Sequence, residues 1–292
     1  MNSEFNKGLL LTSLGSFWWG FIGVIYFEYV SFIGHVELVV HRCLWTAVML
    51  LITTTFLSKW KIFINEIRDI KKLLALLISG FLIFVNWSIW IYAVATDRII
   101  DASFGYFIMP IISVLLGFIF FKEKLNKKRI FSIFLVFISV AILIIFNLKS
   151  LPWVGLIVAF SWAFYNLVRK KINIDTDIGL LIESLYIFPF ALIVFYFIAK
   201  TGFNDFSFEN PGISLFLILA GPMTVIPLFL YVRGVELIGL GPTGMIFYIT
   251  PTFQFILGYF YYGEDFSLVK FVSFIIIWIA VIIYMNDLYE KN

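Results

Sequence analysis

The second long apolar segment of the chain carries three ionisable residues, Glu37, His41 and Arg42, with Trp45 one helical turn beyond His41. Glu37 and His41 are four residues apart, so they would share one face of a helix, and Arg42 would lie beside that face. An ionised group at the centre of a bilayer costs roughly 2.5–3.5 kcal/mol, which makes such residues candidates for function. One interpretation is a gate that attracts anions or is linked to protons, since histidine titrates near neutral pH. The other is a structural ion pair of Arg42 with Glu37 or with a more distant carboxylate.

Other polar residues interrupt later apolar segments. Glu183 has no basic residue near it in sequence, so it either has a partner on another helix or is protonated. Asn86 stands beside Trp87, with Trp90 four residues after it. Its amide, like that of Gln254, could contact a substrate or bond across helices, as buried amides in membranes do.

Aromatic residues make up 20% of the chain, and most are expected to pack or to anchor at the membrane interface. Trp18, Trp19, Trp162 and Tyr165 lie in segments that correspond across an internal repeat described below, and could line a central cavity. Tyr106 is a further candidate for its wall. The residues that we predict to bind substrate or to act in gating are His41, Arg42, Asn86, Glu183, Trp19, Trp162, Tyr106, Trp90, Tyr165 and Tyr248.

Prolines fall inside several apolar segments, at Pro110, Pro189, Pro227 and Pro251. Each removes a backbone hydrogen bond and allows a kink. Such kinks can act as hinges or can simply be tolerated in a membrane helix. The recurrence of Pro110 as Pro251 in the repeat favours hinges at these two positions.

The elements that position these side chains follow from composition. Hydrophobic residues make up 62% of the chain and charged residues 13%, against about 45–50% and about 25% in soluble domains. A helix needs about 20 apolar residues to cross a bilayer and satisfies its own backbone there. We therefore predict an all-α integral membrane protein of ten transmembrane helices. The predicted spans are approximately 8–28, 36–57, 71–95, 101–121, 128–147, 152–170, 177–199, 212–233, 241–261 and 268–286.

The basic residues predict the orientation. If the N-terminus is cytoplasmic, the cytoplasmic loops and ends carry 16 Lys and Arg residues and the opposite side carries 4. The positive-inside rule then places both termini in the cytoplasm.

The fourth and fifth segments match the ninth and tenth at a constant offset of 141 residues. The informative matches are Pro110 with Pro251, Gly117 with Gly258 and Glu123 with Glu264. Apolar helices share Ile and Val by chance, but three such matches in one register favour a duplication. A copy with an odd number of spans must enter the membrane from the other side, so residues 1–148 and 149–292 are predicted to be two inverted five-helix repeats. Repeats of this kind recur in transporters that alternate access around a central site.

Other classes of function find little support. We find no nucleotide-binding glycine loop, no zinc-type His-Glu spacing and no loop-borne Ser-His-Asp set, so we expect no cofactor, no metal and no ATP hydrolysis. Uphill transport would need a coupling ion such as a proton, or a counter-solute. The single cysteine, Cys43, leaves no internal disulfide, and a net charge of +3 does not indicate nucleic acid.

The stretch from Glu37 through His41 and Arg42 to Trp45 resembles the RarD-type branch of the drug/metabolite transporter superfamily, the group with EamA domains. Asp101 to Pro110 is also similar, although Met109 stands where the family has Asn, and so are Asn86-Trp87 and the stretch from Tyr248 to Glu264. The resemblance covers nearly the whole chain. It implies two tandem EamA domains, ten spans and a permease of the cell inner (plasma) membrane. It does not give the substrate, because one fold carries many functions.

We therefore predict a secondary active transporter that moves a small amphipathic metabolite or drug-like solute by alternating access, with export favoured by analogy with the superfamily. Its partners would be that small-molecule substrate and the lipid bilayer, in a monomer or homodimer. An uptake permease of the same fold, for amino acids or other small metabolites, stays open as an alternative. A membrane-embedded sensor or enzyme is the alternative from another class.

Overall fold

The computed structural model describes residues 3–95, 99–147, 153–172, 174–202, 204–261 and 268–290. These residues form α-helices and one π-helical turn, with no strand among them. The first ordered segment is α1 (Ser3–Phe17), the π turn (Trp18–Ile22) and α2 (Gly23–Tyr29). The other helices are α3 (His35–Phe56), α4 (Trp60–Glu66), α5 (Ile70–Ala95), α6 (Ile99–Phe121), α7 (Lys127–Asn147), α8 (Trp153–Lys171), α9 (Thr176–Thr201), α10 (Pro211–Ile238), α11 (Leu240–Ile246), α12 (Ile249–Phe260) and α13 (Leu268–Tyr289).

Seven helical segments in this part of the chain are long and apolar enough to cross a membrane, and Gly105–Phe121 is a shorter apolar helix. Large apolar side chains such as Phe134 and Phe190 point outward, while many polar side chains are buried. This arrangement suits a bilayer, because lipid solvates the apolar exterior. The prediction of an all-α, multi-pass membrane fold is confirmed, and the count of ten spans stays a prediction.

The ninth predicted span is not one helix, because it breaks at Phe247 and Tyr248 between α11 and α12. Pro251 has no N–H that could donate to the carbonyl of Phe247. The N–H of Thr250 donates to that carbonyl instead, at 2.9 Å. Pro251 then becomes the third residue of α12, a position whose N–H has no partner inside a helix. Pro110, its counterpart at offset 141, lies inside the continuous helix α6.

The two halves interleave. The most extensive helix–helix contacts each join one half to the other: α1 with α10, α5 with α8, α6 with α8, α3 with α9 and α10, and α7 with α13. Exchanging corresponding helices of the two halves turns α1·α10 into α8·α5 and leaves α3·α9 and α7·α13 unchanged. The contact pattern is therefore the one expected for two related repeats.

Two glycines extend the repeat into the third and eighth segments. Gly80 in α5 and Gly221 in α10 are separated by the same offset of 141 residues. A Cβ on Gly80 would lie 3.3 Å from the carbonyl oxygen of Glu183 in α9, and one on Gly221 would lie 2.5 Å from that of Trp45 in α3. Both glycines thus allow a close crossing with a helix of the other half.

The bundle has two distinct ends. At one end, Lys59 binds Asp177 at 2.8 Å, and the segments 57–72, 122–129 and 169–172 bring most of the basic residues together. We call this the basic end. At the opposite end, the loop after α9 meets the start of α3, where the backbone N–H of Asp205 donates to Glu37.

Candidate binding cavity

A narrow cavity of about 80 Å³ lies between the two halves. Its wall combines the π turn, α2, α3, α5 and α6 of the first half with α8, α12 and the α11–α12 break of the second. It is nearer the opposite end than the basic end. The lining residues are Trp19, Gly23, Val24, Phe27, Arg42, Asn86, Trp87, Trp90, Tyr106, Trp162, Phe247, Thr250 and Gln254.

Six of the ten residues predicted for binding or gating line this cavity: Trp19, Arg42, Asn86, Trp90, Tyr106 and Trp162. The other four, His41, Glu183, Tyr165 and Tyr248, lie outside it. Whether any of the ten binds a substrate stays a prediction. Phe27, Trp87 and Phe247 were not among the ten, although Trp87 adjoins Asn86 in sequence.

Arg42 is 7% exposed, and its Nε donates to the hydroxyl of Thr224 at 3.0 Å. Its guanidinium lies over the ring of Trp87, 4.5 Å from the centroid, and 5.3 Å from that of Phe27. Among the side chains that the structure describes, no carboxylate forms an ion pair with it. The alternative of an Arg42–Glu37 pair is therefore wrong, because Glu37 is engaged elsewhere.

The other buried arginines in the described ranges are paired. Arg129 binds Asp287 with Nε 2.7 Å from Oδ2. Arg169, which is fully buried, has Nη1 3.6 Å from Glu183 and Nη2 3.9 Å from Glu236. Arg42 thus stands apart as a buried cation that faces a cavity instead of a carboxylate.

An aromatic cluster closes the cavity toward the basic end. Trp19, Trp162, Tyr231 and Phe247 pack with ring centroids 5.1–5.7 Å apart along successive contacts. The hydroxyl of Tyr231 donates to the carbonyl of Thr243 in α11, at 3.3 Å. Trp19 comes from the first half and the other three residues from the second, so the cluster joins the halves directly.

Asn86 connects α5 to α8 at the cavity wall. Its amide nitrogen donates to the carbonyl of Val158 at 2.9 Å and to the hydroxyl of Ser161 at 3.1 Å. Both options that the sequence left open therefore fit its position, since the residue bonds across helices and also lines the cavity. Gln254 faces the same cavity and has no hydrogen bond to a described residue.

His41 and Glu37 lie next to each other at the opposite end of the bundle. They share a helix face as predicted, with Nε2 of His41 3.6 Å from Oε1 of Glu37. The carboxylate accepts the backbone N–H groups of Asp205 and Phe206 at 3.0–3.1 Å. Glu37 therefore holds the loop between α9 and α10. Burial and the charge of Glu37 raise the pKa of Asp205 in that loop.

Glu183 has a partner on another helix, which is one of the two alternatives that its sequence context left open. Beside Arg169, its carboxylate accepts the hydroxyl of Ser79 at 2.5 Å and that of Tyr165 at 3.2 Å. A Cβ on Gly179 would collide with the guanidinium of Arg169, so this glycine makes room for the pair. The cluster lies between the cavity and the basic end.

Glu123, from the repeated motif, forms a latch at the basic end. Its two carboxylate oxygens accept the N–H groups of Leu240 and Gly241 at 2.8 and 2.9 Å, at the start of α11 in the other half. A Cβ on Gly117 would lie 2.5 Å from this carboxylate, which explains why the motif pairs Gly with Glu. The corresponding Glu264 lies outside the described residues.

The basic end also carries ion pairs. Burial lowers the pKa of Lys59, but its hydrogen bond to Asp177 and the charges of Asp177 and Asp175 raise it above its ordinary value overall. In the described part of the chain, no group of three His, Cys, Asp or Glu residues is arranged to hold a metal ion. The charged residues here connect helices.

Comparison with known proteins extends these observations. The chain is 34% identical over 286 residues to the uncharacterized transporter YojE of Bacillus subtilis, covering 97% of this chain and 95% of that protein. It is 32% identical to protein RarD of Escherichia coli, over 96% of this chain and 94% of that one. A solved crystal structure shares the fold with a TM-score of 0.67 and 10% identity, over 96% of this chain and 97% of its own.

The model of the EamA-like transporter family matches residues 6–145 and 150–286, one match in each half. The resemblance seen in the sequence is thereby confirmed. Helices suited to a bilayer, two interleaved halves and full-length transporter relatives agree with one another. The chain belongs to the EamA-like transporter family and is a multi-pass membrane transporter.

Proposed function

We propose that this protein is a secondary active transporter that moves a small amphipathic solute by alternating access, and that the cavity is its substrate site. One observation carries the proposal: the cavity is walled by helices of both halves and is separated from the basic end by contacts that cross between them. A relative movement of helices could then open either side in turn.

The volume of the cavity supports a contracted state. Ligand sites usually measure about 300–1,000 Å³, whereas this cavity holds about 80 Å³. A solute of metabolite size therefore needs the aromatic walls to separate. The π turn in the first span and the break between α11 and α12 border the cavity, and Pro251 lies beside that break. Irregular turns and broken helices of this kind are common at functional sites in membrane transporters.

The closed side is the basic end. The aromatic cluster, the pair of Glu183 with Arg169 and the Glu123 latch lie in succession between the cavity and that end. The distribution of basic residues supports a cytoplasmic location for the basic end and both termini, in the inner membrane. We accordingly assign the observed state as closed to the cytoplasm. We propose export as the direction of transport by analogy with the superfamily.

Cysteine labelling tests alternating access without a known substrate. In a Cys43→Ala background, Val24→Cys reports on the cavity and Thr243→Cys reports on α11 near the basic end. We expect a membrane-impermeant maleimide to label Val24→Cys from the side of the opposite end, and to label Thr243→Cys poorly from either side. Glu123→Gln removes the charge that holds two backbone N–H groups, so labelling of Thr243→Cys from the basic side should rise about tenfold.

Alternating access further requires the two positions to change in opposite directions. Labelling of Val24→Cys should fall in the Glu123→Gln background as that of Thr243→Cys rises. A simultaneous rise at both positions would indicate a channel and contradict the proposal. Glu290→Gln is the matched control, since this carboxylate also lies at the basic end but is 60% exposed in its pair with Lys128. It should leave both labelling rates unchanged.

A further inference from the structure

We infer that the substrate is an organic anion, a carboxylate on a planar aromatic body, whose charge is held by Arg42; this inference rests on the proposed function. Arg42 lines the cavity and is 7% exposed. A buried charge in a membrane protein is normally paired. Arg129 and Arg169 follow that rule with Asp287 and Glu183, whereas no described carboxylate forms an ion pair with Arg42.

The hydrogen bonds of Arg42 leave one edge of its guanidinium for a ligand. Nε donates to Thr224, while Nη1 and Nη2 make no hydrogen bond to a described residue. Two parallel N–H groups of an arginine match the two oxygens of a carboxylate. Glu37, five residues earlier on the same helix, is not available to them, because its carboxylate accepts the backbone N–H groups of Asp205 and Phe206 in the loop after α9.

The charges of the wall argue against a cationic substrate. Aromatic faces by themselves could hold an ammonium group. Here the faces of Trp87 and Phe27 already carry the guanidinium of Arg42. The lining residues that the structure describes include no Asp or Glu that could pair with an amine. For the same reason, a zwitterion would have no partner for its ammonium group among the described lining residues and should bind less well than a simple acid.

The remaining wall fits a flat apolar body with one neutral polar group. Trp19, Trp90, Tyr106 and Trp162 present rings from four different helical segments, and aromatic rings stack on planar ligands. The side-chain amide of Gln254 has no partner among the described residues and can donate or accept one hydrogen bond. A substrate with an aromatic ring and a carboxylate satisfies Arg42 and the rings together.

Four compounds that share one ring test this inference: indole-3-acetate, its neutral amide indole-3-acetamide, the amine tryptamine and the zwitterion tryptophan. Each is titrated against the purified full-length protein, and the shift of the thermal unfolding midpoint gives its affinity. The acid should bind at least about tenfold more tightly than each of the others, as expected for a charge-assisted bidentate bond. Equal binding of the amide or the amine, or no shift with the acid up to its solubility limit, would overturn the inference.

Variants connect the preference to Arg42. Arg42→Gln should abolish the preference for the acid over the amide, and Arg42→Lys should retain part of it. Lys61→Gln removes an exposed cation far from the cavity and should change nothing. A full preference in Arg42→Gln would overturn the role of this residue. If Arg42→Gln does not fold, the four-compound series in the unaltered protein and in Arg42→Lys still decides.

Counterflow of labelled indole-3-acetate in proteoliposomes separates the two proposals. Binding of the acid with no counterflow would leave the anion site standing and refute transport. Counterflow of the amide at the rate of the acid would support transport and refute the anion site.

Discussion

At the residue scale, two buried arginines have opposite surroundings. Arg169 is sealed among Glu183, Glu236 and the carbonyl of Thr176, and holds α8, α9 and α10 together. Arg42 donates one hydrogen bond, to a hydroxyl group, and its side chain lines the cavity. Removing one partner of a sealed pair leaves an uncompensated charge. Arg169 is therefore placed for stability, whereas for Arg42 we propose a role in recognition.

A glycine substitution tests the sealed pair. Gly179→Ala would push a methyl group into the guanidinium of Arg169, so we expect a loss of about 3 kcal/mol of stability. The thermal unfolding midpoint should fall by roughly 5–10 °C. Gly212→Ala is the control, because a Cβ there meets no atom within 4 Å. Equal midpoints for the two variants would show that the packing around Arg169 is not tight.

At the element scale, the same proline motif gives different results in the two halves. Pro110 leaves α6 continuous, while Pro251 follows the break between α11 and α12. Tyr248, in the break, donates its hydroxyl to the carbonyl of Phe107, at 2.8 Å. Tyr248 and Phe107 are separated by the repeat offset of 141 residues, so this bond joins equivalent points of the fourth and ninth segments. Tyr248 therefore acts as a brace between these segments, outside the cavity.

Removing that brace should weaken the fold measurably. Tyr248→Phe keeps the ring and deletes the hydroxyl, which leaves a buried carbonyl short of a partner and costs about 1 kcal/mol. The unfolding midpoint should then drop by about 2–4 °C. Tyr289→Phe, at an exposed tyrosine, should leave it unchanged. A drop no larger than that of the control would mean that the bond adds no stability.

Sequence patterns predict some of these features but not others. Apolar runs mark helices because lipid forces the backbone to bond to itself, so the main segments were predictable. The break was not, because Pro110 and Pro251 look alike and the difference lies in tertiary bonds, such as that from the hydroxyl of Thr250 to the carbonyl of Ser16. No sequence pattern from Trp18 to Ile22 indicates a π turn.

The cavity was predictable in part for a similar reason. Polar and aromatic residues inside apolar segments indicated most of its wall. The partners of those residues could not be predicted. In the sequence, Arg169 looks like one of several basic loop residues, and Glu37 looks like a candidate partner of Arg42. Only the fold shows Arg169 turned inward and Glu37 engaged by the loop after α9.

At the scale of the whole molecule, the sequence repeat is not a unit of packing. The principal helix–helix contacts cross between the halves, so the described helices of one half bury their faces on those of the other. The latch of Glu123 on Leu240 and the bond of Ser79 to Glu183 cross in the same way. Stability is thus shared between the halves.

A chain divided between residues 148 and 149 tests this sharing. We expect the halves to assemble into a folded complex when they are produced together, and neither half to be stable alone, because each lacks its own core. Co-purification through a tag on one half, with an unfolding transition, is the measurement. The intact chain carrying the same tag is the control. A cooperative unfolding transition of one half by itself would contradict this expectation.

The interleaving also determines how long α1 lacks its packing partner during synthesis. Helix α1 packs on α10, which begins at residue 211. At about 5–20 residues per second, about 200 residues of further translation keep α1 waiting on the order of ten to forty seconds. During that interval the small-residue surface of α1, at Gly8 and Gly15, faces lipid or the insertion machinery. We therefore expect the nascent first half to be the form most exposed to membrane proteases, until α10 has been inserted.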